Sequence, residues 1–136
     1  MIVQATNRRG TRCSTSKAFL RPVRHRSNLF ISMHSRVLKI VIDSATKIAT
    51  AVRFEKYGQV YEVKANKEII LSAGAVNSPQ LLMLSGVGPS AHLNSMGINV
   101  IANLPVGDNL QDHIANGGMV FTIDRVISKR NGNCCI

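Results

Sequence analysis

Apolar and polar positions first settle into a period of two after Asn28. Leu29, Ile31 and Met33 share one face of an alternating stretch. Val37–Ile42 follows as a β-rich run, with Val37, Lys39 and Val41 opposite Leu38, Ile40 and Ile42. In Ile48–Phe54, the residues Ile48, Thr50, Val52 and Phe54 face one way, and Val60–Val63 resumes the pattern after Tyr57-Gly58. Alternation bounded by turn formers such as Asp43-Ser44 and Tyr57-Gly58 predicts short strands joined by tight turns. The three from Val37 onward predict a small antiparallel meander.

At Glu68 the pattern changes. Ile69, Ile70 and Leu71 form an unbroken apolar run, which predicts a strand over Glu68–Leu71 covered on both faces. Ala73, Gly74 and Ala75 keep side chains small where the chain then turns. Ser78 suits a helix N-cap and Pro79 the first helical position, where its missing N–H is not needed. Leu81–Leu84 makes a short apolar helix, and Gly86 and Gly88 stop it, because glycine accepts the left-handed conformation of a helix end. Further on, the sequence predicts a short helix over Ala91–Met96 stopped by Gly97, a brief strand over Ile98–Ala102, a loop over Asn103–Asn109, a strand over Met119–Val126 and a polar tail. Upstream, Ser14-Thr15-Ser16 offers caps for a helix at Lys17–Leu20 that Pro22 limits to about one or two turns. A strand running through small residues into a helix is a common seat for a dinucleotide's phosphates. It is also an ordinary strand–helix unit, and the spacing alone lacks the full glycine fingerprint that would decide.

Composition narrows the picture. With 136 residues, 45% of them apolar, the chain can form one modest domain with a packed core. No apolar run approaches the roughly 20 residues of a membrane helix. Met1–Val3 is followed by polar, basic residues rather than a hydrophobic centre, so no leader signature is expected and the compartment stays open. The net charge of +10 lies wholly in residues 1–64, where 13 Lys and Arg face 3 Asp and Glu; the remaining residues hold 4 of each. A basic half raises nucleic acid as a partner. The arginines nevertheless follow no helical face, and aromatics are only 4% of the chain, too few for a stacking platform, so no nucleic-acid partner is expected. Cys13, Cys134 and Cys135 form neither a disulfide framework nor a zinc spacing.

Candidate catalytic groups are sparse. His113 beside Asp112 invites a general-base role, but sequence neighbours seldom face each other, and no nucleophile accompanies them. His25, His34 and His92 are isolated. Ser78 lacks the strained turn of a nucleophile elbow, which leaves it as a helix cap.

The run Gly74-Ala75-Val76-Asn77-Ser78-Pro79-Gln80-Leu81-Leu82-Met83-Leu84-Ser85-Gly86-Val87-Gly88 resembles the second sequence signature of the glucose–methanol–choline (GMC) oxidoreductases, FAD-dependent enzymes that oxidise alcohols. Every constrained position of that pattern is met. Arg12–Leu20 is similar to the segment preceding the family's flavin-contacting strands, especially in insect glucose dehydrogenase-like members. Leu104-Pro105-Val106-Gly107-Asp108-Asn109-Leu110-Gln111-Asp112-His113 resembles the segment that closes the family's N-terminal homology block.

The resemblance implies an α/β fold: part of a doubly wound FAD-binding domain with a β-meander, incomplete in this chain. Residues 1–115 would be the partial FAD-binding domain, and residues 116–136 the start of a substrate domain with a divergent tail. It implies FAD as cofactor and a small alcohol or sugar as substrate, with hydride passing to the flavin. Val37 matches the family's valine whose backbone contacts adenine, and Ala73 and Gly74 would sit close to the cofactor. The family's GxGxxG loop and its paired catalytic histidine match nothing in these 136 residues, so no catalytic residue is assigned. The chain by itself is expected neither to turn over alcohols nor to hold FAD tightly. A non-catalytic flavoprotein remnant is the alternative.

Overall fold

A computed structural model describes residues 6–112. His113, the expected strand at Met119–Val126 and all of residues 116–136 lie outside the described residues. The chain divides into two compact units, with the boundary between Ile31 and Ser32.

In the first unit, β1 (Asn7–Arg8) pairs antiparallel with β2 (Thr11–Arg12). Arg9 and Gly10 between them both take positive φ, at 54° and 71°. A single π-type turn, Ser16–Leu20, runs directly into α1 (Arg21–Val23). The Ser14 carbonyl accepts the Ala18 N–H at 2.9 Å, and its hydroxyl accepts the Lys17 N–H at 3.4 Å. Pro22 lies inside α1 rather than beyond it, in the first turn, where no N–H is required. The helical run is still short.

Leu29–Met33 forms no strand. Phe30 is 90% exposed, and no strand among the described residues pairs with the segment. Its alternation was a correct local pattern without a neighbour, and strand pairing is what stabilises a strand.

The second unit opens with the expected meander: β3 (Ser35–Ile42), β4 (Ala49–Lys56) and β5 (Gln59–Lys64), antiparallel in the order β3-β4-β5. Tyr57 and Gly58, at φ 52° and 78°, form the two-residue turn whose twist suits a hairpin. The β3–β4 turn is held by Asp43, whose Oδ1 accepts the Thr46 N–H at 2.6 Å, the Thr46 hydroxyl at 2.7 Å and the Ala45 N–H at 3.1 Å. The most enclosed residue of β4 is Ala51, not the larger side chains of the Ile48–Phe54 face.

Glu68–Leu71 is not a buried strand. No strand pairs with it among the described residues, and Ile70 is exposed. The apolar run marks a segment able to be covered on both faces, but the covering must come from neighbouring strands, which this region does not supply.

The helix α2 (Gly74–Leu84), with Ala73 as its N-cap, begins five residues earlier than Ser78-Pro79 suggests. Ser78 therefore caps backwards from inside the helix: its Oγ accepts the Ala73 N–H at 3.0 Å. Pro79 sits in the second turn and removes one rung of the ladder there. The helix stops at Gly86 as expected. Its N–H bonds to the Met83 carbonyl, its φ is +89°, and a Cβ there would lie 2.6 Å from the Asn99 carbonyl oxygen. Gly88 acts differently from expectation. It belongs to β6 (Val87–Gly88), and its smallness admits the Met83 and Leu93 side chains.

The short helix α3 (Ser90–Ser95) ends before Gly97, which takes φ +68°. The brief strand is shorter and later than Ile98–Ala102: β7 (Ala102–Asn103) pairs parallel with β6. The Asn103 side chain accepts the Ser90 N–H at 2.9 Å, tying β7 to the start of α3. Among the described residues, Ile40, Ala51, Leu81 and Leu93 are the buried apolar side chains and Ser85 the buried polar one. No helix among them is long and apolar enough to cross a membrane, and no cluster of His, Cys, Asp or Glu among them could hold a metal.

Candidate functional site

Helical periodicity gives α2 and its first cap residue two faces. Ala73, Asn77, Gln80, Leu81 and Leu84 fall on one. They line a cavity of about 480 Å³ whose opposite wall is Arg36, Val37 and Leu38 of β3. Volumes of this order suit a small organic ligand or part of a larger one.

The β3 wall is irregular. The register passes from Val37↔Phe54 to Lys39↔Arg53, leaving Leu38 as the extra residue of a bulge. β3 is also the edge of its sheet, so the backbone groups on its outer side point away from β4. Further along, Ser85 bolts helix to strand. Its Oγ accepts the Ile40 N–H at 2.8 Å and donates to the Leu81 carbonyl at 2.5 Å, both buried. The bridge satisfies an edge N–H that would otherwise be buried without a partner, and it sets the spacing of the two cavity walls.

The polar equipment of the cavity is modest. Arg36 stands 3.7 Å from Glu55, with both side chains well exposed, an ion pair of little strength. The Asn77 and Gln80 amides make no hydrogen bond among the described residues. Leu38, Leu81 and Leu84 supply apolar wall. Gly74, next to Ala73, is not a lining residue; it takes φ +93°, and a Cβ there would meet nothing within 4 Å.

The other face of α2 is different. Val76, Pro79, Leu82 and Met83 meet the loop at Pro105–Gln111 around a wider, more apolar cavity of about 710 Å³.

The structure thus brings Val37 and Ala73 to one cavity, with Gly74 beside it. Asp112 is the last described residue and lines neither cavity. The Ser78 oxygen is engaged in holding the first turn of α2. Asp43 has its pKa held below the ordinary 3.8, first by the Thr46 N–H and then by the Thr46 hydroxyl; desolvation opposes them, and the Ala45 N–H adds the least. It belongs to a hairpin turn and not to either cavity. Arg36, Leu38, Asn77, Gln80, Leu81 and Leu84 were missed as site residues. The spacing of 73, 77, 80, 81 and 84 is one helical face, and that signal could have found the α2 members.

The GMC oxidoreductase family model matches residues 1–115. The chain is 44% identical over 117 residues to glucose dehydrogenase (FAD, quinone) of Drosophila pseudoobscura pseudoobscura, covering 85% of this chain and 19% of that protein. It is 49% identical over 115 residues to oxygen-dependent choline dehydrogenase of Rhizobium meliloti (strain 1021), covering 83% of this chain and 20% of that protein. The chain thus spans about a fifth of the length of these curated relatives. Among solved structures it resembles pyridoxine 4-oxidase from Mesorbium loti, with a TM-score of 0.65 and 34% identity over 73% of this chain and 19% of that one. It also resembles formate oxidase, with a TM-score of 0.58 and 33% identity over 60% of this chain and 14% of that one.

Proposed function

Since the chain belongs to the GMC oxidoreductase family, we propose that it is part of an FAD-dependent enzyme oxidising a CH–OH donor, and that the cavity between β3 and α2 holds the adenine end of FAD. The observation that carries this reading is the convergence of Val37 and Ala73, distant in sequence, on one cavity. The local chemistry fits an adenine. A bulged edge strand can offer N–H and C=O groups to a base much as a pairing partner does. Leu38, Leu81 and Leu84 provide apolar surface for a flat ring. Gly74 leaves open space where the chain enters α2, so a ligand could approach the backbone closely there.

In this reading Val37 binds through its backbone, and Ala73 and Gly74 let the cofactor pass the helix start. Residues 1–115 are assigned to the FAD-binding domain. When bound, FAD supplies the hydride acceptor for alcohol oxidation. The described residues bind and orient; no proton-transfer role is assigned to any of them. The glucose and choline dehydrogenases among the relatives support a small alcohol or sugar as the substrate class of the whole enzyme.

Calorimetric titration of the 136-residue chain with ADP, FAD and FMN tests the assignment. ADP and FAD should bind with similar, weak affinity, and FMN, which lacks the adenine, at least about tenfold more weakly. FMN binding as well as FAD would contradict it.

A further inference from the structure

The three-stranded sheet has two unlike edges. At β3 the strand is bulged at Leu38, and Ser85 takes the Ile40 N–H. The β5 edge has no such protection. Its register against β4 runs unbroken from Gln59 to Lys64, it contains no proline, and all six of its residues are exposed. The hairpin fixes which backbone groups are free. Lys56 and Gln59 close the two-residue turn as a hydrogen-bonded pair, so Gln59, Tyr61 and Val63 direct their N–H and C=O groups to β4. Val60, Glu62 and Lys64 direct theirs outward, and no strand among the described residues receives them. Such an edge is a template for another strand. We infer that its partner is a second copy of this chain, paired β5 to β5 and antiparallel about a two-fold axis at Val63.

The charges along β5 choose the occupant and the register. With the axis at Val63, Glu62 of each copy stands opposite Lys64 of the other, a cross-strand pair of opposite sign made twice. An axis at Glu62 or at Lys64 would set like charges against each other, and an axis at Tyr61 opposes no charges at all. Arg53 holds only Oε2 of Glu62, at 2.9 and 3.2 Å, which leaves Oε1 for the incoming lysine. The apolar side agrees. Val37, Phe54 and Tyr61 form one cross-strand row, and Ile40, Val52 and Val63 another, on the same sheet face. The Phe54 and Tyr61 rings stack at 5.6 Å. This face ends at β5, where Val63 is 58% and Tyr61 44% exposed. Pairing about Val63 sets Val63 on Val63 and Tyr61 on Ala65, at non-hydrogen-bonded positions where side chains approach most closely. Because the β3 edge is closed, the assembly stops at a six-stranded dimer instead of growing into a filament. The inference is independent of the FAD reading.

Sedimentation velocity of the 136-residue chain tests the inference. One strand pair is a small interface, so a weak dimer with a Kd of about 10–100 µM is expected. Glu62→Lys and Lys64→Glu, each alone, set like charges opposite and should weaken the dimer about tenfold or more. Lys64→Glu lowers the net charge, so its loss of dimer would not come from general repulsion. An equimolar mixture of the two variants restores both opposite-sign pairs and should dimerise again, which also shows that both variants fold. With Cys13, Cys134 and Cys135 replaced by serine, Val63→Cys should cross-link to itself under diamide oxidation, and Tyr61→Cys should not. A chain that stays monomeric at about 1 mM overturns the inference and leaves the edge to a strand from the remainder of the enzyme. Single variants that dimerise like the original chain, a mixture that stays monomeric, or cross-linking at Tyr61 in place of Val63 would each overturn it as well.

Discussion

At the C-terminal end of α2, Ser85 is 6% exposed, Gly86 packs against the Asn99 carbonyl, and Leu93 behind Gly88 is fully buried. At the N-terminal end, Gly74 faces empty space and Val76 is 71% exposed. One helix thus has a closed end and an open end. Glycine occurs at both, for reasons that differ. Gly86 combines a left-handed backbone with a site that a Cβ would overfill, whereas Gly74 has the backbone demand alone. The closed end fixes where the helix lies against β3. The open end leaves room beside the cavity that the helix lines.

Substitutions at the two ends should separate these roles. Gly86→Ala adds steric overlap to an unfavourable φ and should lose about 2–4 kcal/mol of stability in urea melts. Ser85→Ala leaves the buried Ile40 N–H without its acceptor and should lose about 1–3 kcal/mol. Gly74→Ala meets only the backbone penalty and should lose about 1 kcal/mol. Equal losses at Gly86 and Gly74 would erase the contrast.

The smallest effect belongs to the Asp43 turn, remote from both ends. Its carboxylate is stabilised by the Thr46 and Ala45 donors, so its folded-state pKa is lowered. The sign is that of a depressed carboxylate: the contribution is complete above the ordinary 3.8 and is lost as pH falls through the lower folded-state value. Amide exchange at Thr46 should accelerate relative to that of Ile40 over this acid range, and Asp43→Ala should remove the difference. An unchanged ratio would contradict the assigned cause.

Legibility in the sequence followed how local each determinant is. The meander was readable because alternation and the Tyr57-Gly58 turn are nearest-neighbour properties, and the Gly86 stop was readable for the same reason. Glu68–Leu71 was not, because burial of a strand depends on partners that its own residues do not encode. Pro79 misled because a proline preference for the first turn is statistical. Gly74 and the back-reaching Ser78 hydroxyl place the start of α2 earlier. At the candidate site, the family resemblance pointed to Ala73 and Gly74; Asn77 and Gln80 stand inside the fifteen-residue signature but were not singled out, because their place on the cavity depends on which face of α2 meets β3. Ser85 carried no signal at all for its bond to Ile40, 45 residues away.

The central claim is that the β3–α2 cavity, and not the wider one on the other face of the helix, receives the adenine. Amide chemical-shift mapping of the 136-residue chain titrated with ADP tests this directly. The account predicts shifts concentrated at Arg36, Val37, Leu38, Ala73, Asn77 and Gln80. Shifts concentrated instead at Val76, Leu82 and the Pro105–Gln111 loop would contradict it.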